Sequence, residues 1–452
     1  MGKLFGTDGI RGVVNQELDS GLAYKVGLAA AAVLSRRKQA QDRILVAIGK
    51  DTRISGDLLK GALIAGLCTA GADVLDLGTL PTPGVAWATI ANRADVGIVI
   101  SASHNPFEYN GIKIFNGSGF KLSDELEEKI EDLVLFGHNY VPRRIGSEIG
   151  KVHYAASKIS EDYIDHLAST VQGDLAGLHI LIDCANGAAC TTAARLFDRF
   201  EKLRTDVINA DPDGININDR CGSTHMKSLA AMVRAGGYDI GIAFDGDADR
   251  CLAVDELGNL IDGDQIISAC AVQMRNNGLL PYDTVVATVM SNLGFHVHCK
   301  ENGIQLECTD VGDRNVLECM VEKGYRLGGE QSGHIIFLDH ATTGDGQLAA
   351  LKLLELLGRS GKKASELFGA CPRYPQVLIN LSVADNDEKK RIMACMELKR
   401  AVEEAEHKLA GKGRILVRPS GTEALMRVMV EAETEDTARD TAQQLIELIQ
   451  TL

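Results

Sequence analysis

The sequence predicts an α/β protein built from several domains, on three observations. Short apolar runs rich in β-branched residues alternate with helix-like stretches through most of the chain. The length, 452 residues, exceeds what one hydrophobic core supports, so about three or four domains are expected. Three of the apolar runs also pass directly into a small polar turn: Ile100 into Ser-Ala-Ser-His-Asn, Ile182 into Asp-Cys-Ala-Asn-Gly and Val289 into Met-Ser-Asn-Leu-Gly. Three α/β units of similar build would account for that echo.

In chain order, the strand candidates are 44–48, Val96–Ile100, His179–Asp183, Ile240–Phe244 and 284–289. Each is short and rich in β-branched residues, the pattern of strands buried on both faces of a parallel sheet. A helix is expected after Ser123, which stands at a capping position before Asp124 and Glu125. Leu126, Ile130, Leu133 and Val134 share one face of it, and Gly137 ends it. The stretch 137–150, with Pro142 and its glycines, marks a boundary, and Pro372 and Pro375 mark another. Beyond them 376–383, 414–418 and 426–432 read as strands, 386–409 as a charged helix and 436–449 as a closing helix. That is a small α+β domain.

Composition narrows the function classes. The chain is 45% apolar and 24% charged, ordinary for a soluble globular protein. The longest helical apolar candidate, around 26–34, is alanine-rich and falls short of the roughly 18 residues of a spanning segment. No secretory signal opens the chain, and Gly6 stands where a myristoylation signal needs Ser or Thr. A cytoplasmic protein with no membrane partner is expected. The net charge of −15 argues against nucleic acid as a partner. An acidic chain that handles anions must instead gather a few arginines locally. The eleven cysteines occur singly, with no Cys-x-x-Cys pair, and read as reduced, buried thiols rather than zinc or redox sites. Neither a Walker-type loop nor a complete Gly-x-Gly-x-x-Gly occurs, so nucleotide binding gains no support.

Two motifs carry chemistry by residue type alone. Ser101-Ala-Ser103-His-Asn-Pro106 ends the run Val96–Ile100, and in open α/β sheets ligands gather at the carboxyl ends of strands. A serine followed by His-Asn-Pro has no capping or core purpose, although alone it would read as a turn before a proline. After Ile240–Phe244, the residues Asp245, Asp247 and Asp249 alternate through a glycine-containing turn. Three carboxylates this close repel one another and need a cation. An EF-hand would use Glu256 at its twelfth place, but Arg250 stands where the sixth requires glycine and the flanks are strand-like, so that reading is rejected. Oxygen-only ligands favour Mg²⁺ over softer metals.

Asp-Gly-Asp-x-Asp-Arg after a strand, together with the earlier Ser-His-Asn-Pro, resembles the α-D-phosphohexomutase superfamily. The resemblance spans essentially the whole chain. It implies a four-domain phosphohexomutase architecture, three related α/β domains plus a C-terminal α+β domain around a central cleft, each supplying one loop. The implied spans are 1–145 with a phosphoserine loop, 155–256 with a metal-binding loop, 257–370 with a sugar-recognition loop and 375–452 with a phosphate-binding loop. Ser103 would be phosphorylated, and one Mg²⁺ per chain would be held by that phosphate with Asp245, Asp247 and Asp249. A phosphoserine of about −2 charge and three carboxylates exceed what one Mg²⁺ cancels, so Lys113, Arg250 and Arg11 are the catalytic cations implied. Lys113, in Asn110-Gly-Ile-Lys113, would also assist proton transfer to and from the sugar hydroxyl. Arg53, in Gly49-Lys-Asp-Thr-Arg53, reads equally well as a further cation facing the site or as an ordinary surface ion pair. Gly329-Glu330-Gln331-Ser332-Gly333-His334 resembles the family's sugar loop, with Glu330 and Ser332 placed to touch ring hydroxyls. His334 reads equally as a sugar contact or as a satisfied structural histidine. Arg418-Pro-Ser420-Gly421-Thr422-Glu423, followed by Arg427, gathers backbone N–H groups, two hydroxyls and two guanidiniums, which a non-transferred phosphate needs.

Within the superfamily, the start Phe5-Gly-Thr-Asp-Gly-Ile-Arg-Gly12, Gln331, Val311-Gly-Asp313-Arg314 and the run 213–218 leading to Cys221-Gly-Ser223 resemble the phosphoglucosamine mutases rather than the phosphomannomutases and phosphoglucomutases. Asp313 joins the sugar-binding candidates on that ground. Asn315 and the order Glu108-Tyr109 depart from the pattern without touching a proposed ligand. The implied activity is interconversion of glucosamine 6-phosphate and glucosamine 1-phosphate through a phosphoserine and a 1,6-bisphosphate, for UDP-N-acetylglucosamine and cell-wall precursor synthesis. A hexosamine or hexose 1,6-bisphosphate would be the activator, and a kinase or bisphosphate donor would first phosphorylate Ser103. A homodimer is compatible with the sequence. Two alternatives stand beside this: a phosphoglucomutase or phosphomannomutase with the same catalytic residues, and a metal-dependent sugar phosphatase that passes the phosphoryl group to water. The phosphate loop argues against the phosphatase, because a hydrolase gains less from a second phosphate site.

Overall fold

The computed structural model describes residues 4–6, 8–35, 43–420 and 424–452. The chain forms two compact units, one running to Met290 and resuming over Ile304–Gly369, the other made of Ser291–Gly303 and Ala370–Leu452. Three sheets belong to the first unit. The first has the order Ile10–Val13, Tyr109–Asn116, Val96–Ile100, Leu45–Lys50, Asp73–Thr79, Val152–Tyr154. The second is Leu260–Ile261, Cys251–Asp255, Ile240–Phe244, His179–Asp183, Arg204–Ile208, and the third is Gln305–Thr309, Thr284–Thr288, Leu327–Gly329, Ile335–Phe337. The apolar runs Val96–Ile100, Ile240–Phe244 and Thr284–Thr288 are buried along their whole length, as continuous hydrophobic strands require.

The sheets are mixed rather than purely parallel. In each, a parallel core is flanked by an antiparallel hairpin: Val96–Ile100 with Tyr109–Asn116, Ile240–Phe244 with Cys251–Asp255, and Leu327–Gly329 with Ile335–Phe337. The repetition therefore lies elsewhere than the sequence echo put it. Ile182 and Val289 leave equivalent central strands, whereas Ile100 leaves the strand that corresponds to Ile240–Phe244 and Leu327–Gly329. The serine, aspartate and Glu330–His334 loops are thus the turns of three equivalent hairpins.

The alanine-rich segment is a helix, Ser20–Ser35, packed on the helix Gly56–Thr69. A Cβ on Gly66 would lie 2.1 Å from the Tyr24 carbonyl and one on Gly27 2.4 Å from that of Leu63, so small residues let the two backbones touch. No helix among the described residues is long and apolar enough to cross a membrane. Ser123 stands at the N-cap of Asp124–Asp132, but its side chain makes no capping bond; its carbonyl accepts from Leu126 and Glu127 instead. The helix buries Leu126 and Ile130 and closes in a π-helical turn, Leu133–Gly137.

The second unit is built on the antiparallel sheet Gln376–Ser382, Leu425–Ala432, Gly413–Pro419. Met426, Val428 and Val430 of its central strand pack with Leu445, Ile446 and Ile449 of the helix Glu435–Thr451. The single charged helix expected over 386–409 is two, Asn386–Ala394 and Met396–Leu409, because Cys395 takes an extended backbone (φ −64°, ψ 123°). All eleven cysteines are free thiols, and the expectation of burial holds for only part of them: Cys308 is exposed and Cys68, Cys190, Cys319 and Cys395 are half-buried.

Candidate active site

The serine loop is tightly tied. Ser101 Oγ donates to Asp51 Oδ2 at 2.7 Å and accepts the Ser103 N–H at 2.9 Å, so its hydroxyl is fully engaged. Ser103 takes a left-handed backbone, φ +51°, uncommon for a residue with a Cβ and frequent at functional sites. Its hydroxyl donates to Asp245 Oδ2 at 2.7 Å. His104 Nδ1 stands 3.2 Å from Ser103 Oγ. Burial, then the Arg250 and Arg11 guanidiniums, lower the His104 pKa to about 4. The imidazole is therefore neutral near pH 7 and can accept a hydroxyl proton. Sequence reasoning passed over His104 because histidine after serine carries no spacing signal of its own.

The three aspartates follow on the next hairpin turn. All are buried, with one oxygen of each within 4.8 Å of the others. Burial, then the neighbouring Asp249 and Asp247 carboxylates, push the Asp245 carboxyl well above the usual carboxylate range. Asp247 Oδ2 accepts from Thr82 Oγ1 at 2.7 Å and Lys113 Nζ at 3.0 Å. The Oδ1 atoms of Asp247 and Asp249 are buried without a hydrogen-bond partner. Clustered buried carboxylates with oxygens left unpartnered are what a hard divalent cation would complete, so the residues fit a metal site. Glu256 is elsewhere, accepting from the Ser365 N–H and hydroxyl, which agrees with the rejection of an EF-hand.

Lys113 is not on a surface turn. It lies within the strand Tyr109–Asn116, 3% exposed. Burial acts to lower its pKa, but Asp247, Asp8 and Asp249 outweigh it and hold the ammonium charged well above the usual lysine range. In this state Lys113 supplies charge and a donor rather than a base. Its carboxylate partners belong to a closed network: Asp247, Lys113, Asp8, Lys121 and Asp313 alternate in charge, and the His334 ring stands between Asp313 and Asp249. The ion-pair contacts along it run from 2.6 Å, between Lys121 and Asp8, to 3.7 Å, between Lys113 and Asp249. Asp8 and Lys121 went unnoticed in the sequence, since apart from Arg11 beside Asp8 their partners lie more than a hundred residues away.

Arg11 pairs with Asp8, and Arg250 donates its backbone N–H to Asp245 Oδ1 at 3.2 Å. Both line a cavity of about 470 Å³ together with Ser103, His104, Asp249, Asp313, Glu330 and His334. Their Nε atoms have no hydrogen-bond partner, leaving donors for an anion. Glu330 Oε1 accepts the Gly312 N–H at 3.2 Å and Ser332 Oγ reaches Glu330 Oε2 at 3.4 Å. Asp313, expected to face the sugar, is occupied: Lys121 takes Oδ2 at 2.7 Å and the Arg314 N–H takes Oδ1 at 2.9 Å. His334 accepts the Gly344 N–H on Nε2 at 3.0 Å, and its Nδ1 faces Asp249 at 3.6 Å. Gln331 donates to Asp262 Oδ2 at 3.3 Å.

Arg53 corrects the sequence reading. It is no surface ion pair but a fully buried side chain, among the largest in the protein. In the second unit, Arg418 and Arg427 stand directly opposite each other on adjacent strands. Partial burial, then the Arg427 charge, lower the Arg418 pKa. Like charges in that register are unfavourable, and an anion between them relieves the repulsion. Ser420 is buried beside them, its carbonyl accepting from Lys389 at 2.8 Å. Gly421, Thr422 and Glu423 lie outside the described residues.

Comparison with known proteins decides the family. Residues 2–139, 161–258, 262–374 and 378–448 match, in order, the phosphoglucomutase/phosphomannomutase alpha/beta/alpha domains I, II and III and the C-terminal domain of that family. The chain belongs to the phosphoglucomutase/phosphomannomutase family. It is a phosphohexomutase, an isomerase-class enzyme. A protein of Ruminiclostridium cellulolyticum named phosphoglucosamine mutase is 51% identical, with 100% of this chain and 99% of that protein covered. One of Acetivibrio thermocellus, with the same name, is 50% identical over 100% and 99%. Among solved structures, a phosphoglucomutase/phosphomannomutase family protein of Burkholderia thailandensis superposes with a TM-score of 0.81 at 23% identity, covering 99% of this chain and 97% of that one. An Aspergillus fumigatus N-acetylphosphoglucosamine mutase, in complex with GlcNAc-6P and magnesium, gives 0.72 at 18% identity, with 98% and 94% covered. These two share the phosphohexomutase fold with this chain.

Proposed function

We propose that this mutase interconverts glucosamine 6-phosphate and glucosamine 1-phosphate, with Ser103 carrying the phosphoryl group. The observation that carries the mechanism is the Ser103 hydroxyl, 2.7 Å from Asp245 within the carboxylate triad and beside a cationic cavity. The amino-sugar assignment is supported by the near-full-length relatives named phosphoglucosamine mutase. Asp245, Asp247 and Asp249, with the phosphate on Ser103, would hold Mg²⁺. The ion supplies charge neutralisation at the transferred phosphoryl oxygens when bound.

The chain's own residues do the rest. Phosphoryl transfer breaks the P–Oγ bond of Ser103 and forms a P–O1 bond on glucosamine 6-phosphate, leaving a 1,6-bisphosphate. The proton leaving the sugar hydroxyl ends on Ser103 Oγ, with neutral His104 within reach of that oxygen. Lys113, Arg250 and Arg11 stabilise the charge on the moving group. The bisphosphate then turns end for end and Ser103 recovers the 6-phosphate. Glu330, Ser332, His334 and Asp313 are the sugar-side residues of this proposal, Asp313 acting through Lys121. Arg418, Ser420, Gly421, Thr422 and Arg427 hold the phosphate that does not move. A hexosamine or hexose 1,6-bisphosphate acts as activator, and a kinase or such a bisphosphate first phosphorylates Ser103. The domain spans 1–145, 155–256, 257–370 and 375–452, a homodimer and a cytoplasmic site of action belong to the same proposal.

Product analysis with glucosamine 1-phosphate, glucose 1-phosphate and mannose 1-phosphate tests it. The kcat/KM for the amino sugar should exceed that for glucose 1-phosphate by at least about tenfold, roughly 1.4 kcal/mol of transition-state binding. Equal or better use of glucose or mannose phosphates assigns the chain to the other branches, and release of inorganic phosphate in place of isomer makes it a phosphatase. A second expectation concerns the arginine pair. Arg418→Ala or Arg427→Ala should weaken both monophosphates by on the order of tenfold to a hundredfold, the roughly 1.5–3 kcal/mol of a charge-assisted contact. Unchanged KM and kcat in both variants would put the second phosphate elsewhere.

A further inference from the structure

Arg53 is buried without reaching the cavity. Its Nε lies 3.1 Å from Asp51 Oδ2, with both side chains fully buried. Its Nη2 donates to the carbonyls of Ser103 and Asn105 at 2.8 and 2.9 Å, and Nη1 to that of Pro106 at 3.4 Å. Asn218 Nδ2, from a distant part of the chain, donates to the same Ser103 and Asn105 carbonyls at 3.0 and 3.2 Å. The aspartate loop closes on this junction: a Cβ on Gly246 would lie 2.6 Å from the Ser103 carbonyl oxygen and 2.8 Å from Asn218 Nδ2. Asp51 in turn accepts from Ser101 Oγ, which accepts the Ser103 N–H. Ser103 is thus gripped at its N–H and its carbonyl while its backbone is held at φ +51°. Only a planar guanidinium spans a carboxylate and neighbouring carbonyls at once; an ammonium is a point charge with no such fork.

We propose that Arg53 is a positioning residue, which with Asn218 fixes the Ser103 backbone so that its Oγ stays in register with Asp245. It thereby sets the rate of phosphoryl transfer without taking part in sugar phosphate binding. The proposal rests on the reading that Ser103 carries the phosphoryl group. A misplacement of about 1 Å at a reacting atom costs on the order of a hundredfold in rate, while substrate binding, made by other side chains, is untouched.

The test compares full-length wild type, Arg53→Lys and Asn218→Gly. Glycine is chosen because Asn218 itself stands at φ +59°, where glycine is unstrained. Measured are kcat and KM for glucosamine 1-phosphate, the rate at which Ser103 gains phosphate from glucose 1,6-bisphosphate by peptide mapping, and the thermal melt. For Arg53→Lys, kcat and the phosphorylation rate should fall together by on the order of a hundredfold, with KM within about threefold of wild type. Asn218→Gly should shift the same two rates by about tenfold, the loss of one geometric constraint among several. Folded variants with wild-type kcat and phosphorylation rate, or a loss confined to KM, overturn the proposal. If Arg53→Lys does not fold, Asn218→Gly decides by the same criteria. A wild-type protein that turns over without phosphate on Ser103 overturns the phosphoserine reading itself, a result separate from any effect of the variants.

Discussion

Ser103→Ala should eliminate mutase turnover, with kcat down by on the order of 10⁴-fold or more, the scale seen when a covalent nucleophile is removed. Without the hydroxyl there is no oxygen to carry the phosphoryl group, and no neighbouring group can substitute. Ser101 is the nearest alternative, yet its hydroxyl is spent on Asp51 and on the Ser103 N–H. The protein should remain folded, because Ser103 contributes one side-chain bond to a carboxylate that burial has already pushed toward its neutral form. Circular dichroism and a thermal melt near the wild-type value, alongside absent product by coupled assay, are the expected results. Ser101→Ala should do the opposite: a destabilisation of about 1–3 kcal/mol, from leaving the buried Ser103 N–H without its acceptor, with phosphate still on Ser103. Wild-type turnover in Ser103→Ala would remove the serine from the mechanism.

Divalent metal removal should be nearly as severe. Exhaustive chelation is expected to stop turnover and added Mg²⁺ to restore it, because three buried carboxylates otherwise repel an incoming phosphate. Asp247→Ala should lower kcat by at least about a hundredfold and weaken metal binding together, as read by activity titrated against Mg²⁺. This variant also takes from Lys113 its 3.0 Å partner, leaving the ammonium to Asp8 and Asp249. Asp247→Asn, which retains the shape but not the charge, should follow the alanine variant if charge toward the ion is what matters. Full activity after chelation, with no metal detected, would contradict the ligand set.

Much of this site was legible before the fold was known. A serine at the end of the apolar run Val96–Ile100 and three aspartates at alternate positions after Ile240–Phe244 are local patterns, and local patterns survive in a linear text. What stayed hidden depends on distant partners. Arg53 looks like any charged residue after a strand until the carbonyls of residues 103–106 fold onto it. Lys113 looked solvated because Asp8 and Asp247, which desolvate and hold it, come from other segments. Asp313 matched a sugar-binding pattern and lines the cavity, but its bond from Lys121 had no local mark. The internal echo misled for a related reason. Short polar turns follow every strand of such a sheet, and only the order of strands tells which turns are equivalent. The break at Cys395 left no sequence mark, since neither glycine nor proline interrupts 386–409.

The central claim is that Ser103 gives its phosphoryl group to an amino-sugar monophosphate and takes it back. Its most direct test is to phosphorylate the protein with glucose 1,6-bisphosphate, remove the donor, add glucosamine 6-phosphate in a single turnover, and follow the protein by intact mass and peptide mapping. The account predicts one phosphoryl group, located on Ser103, that disappears as glucosamine 1,6-bisphosphate and then glucosamine 1-phosphate form. Phosphate found only on Ser101, or a phosphoserine that loses its group to water without sugar bisphosphate appearing, would contradict it.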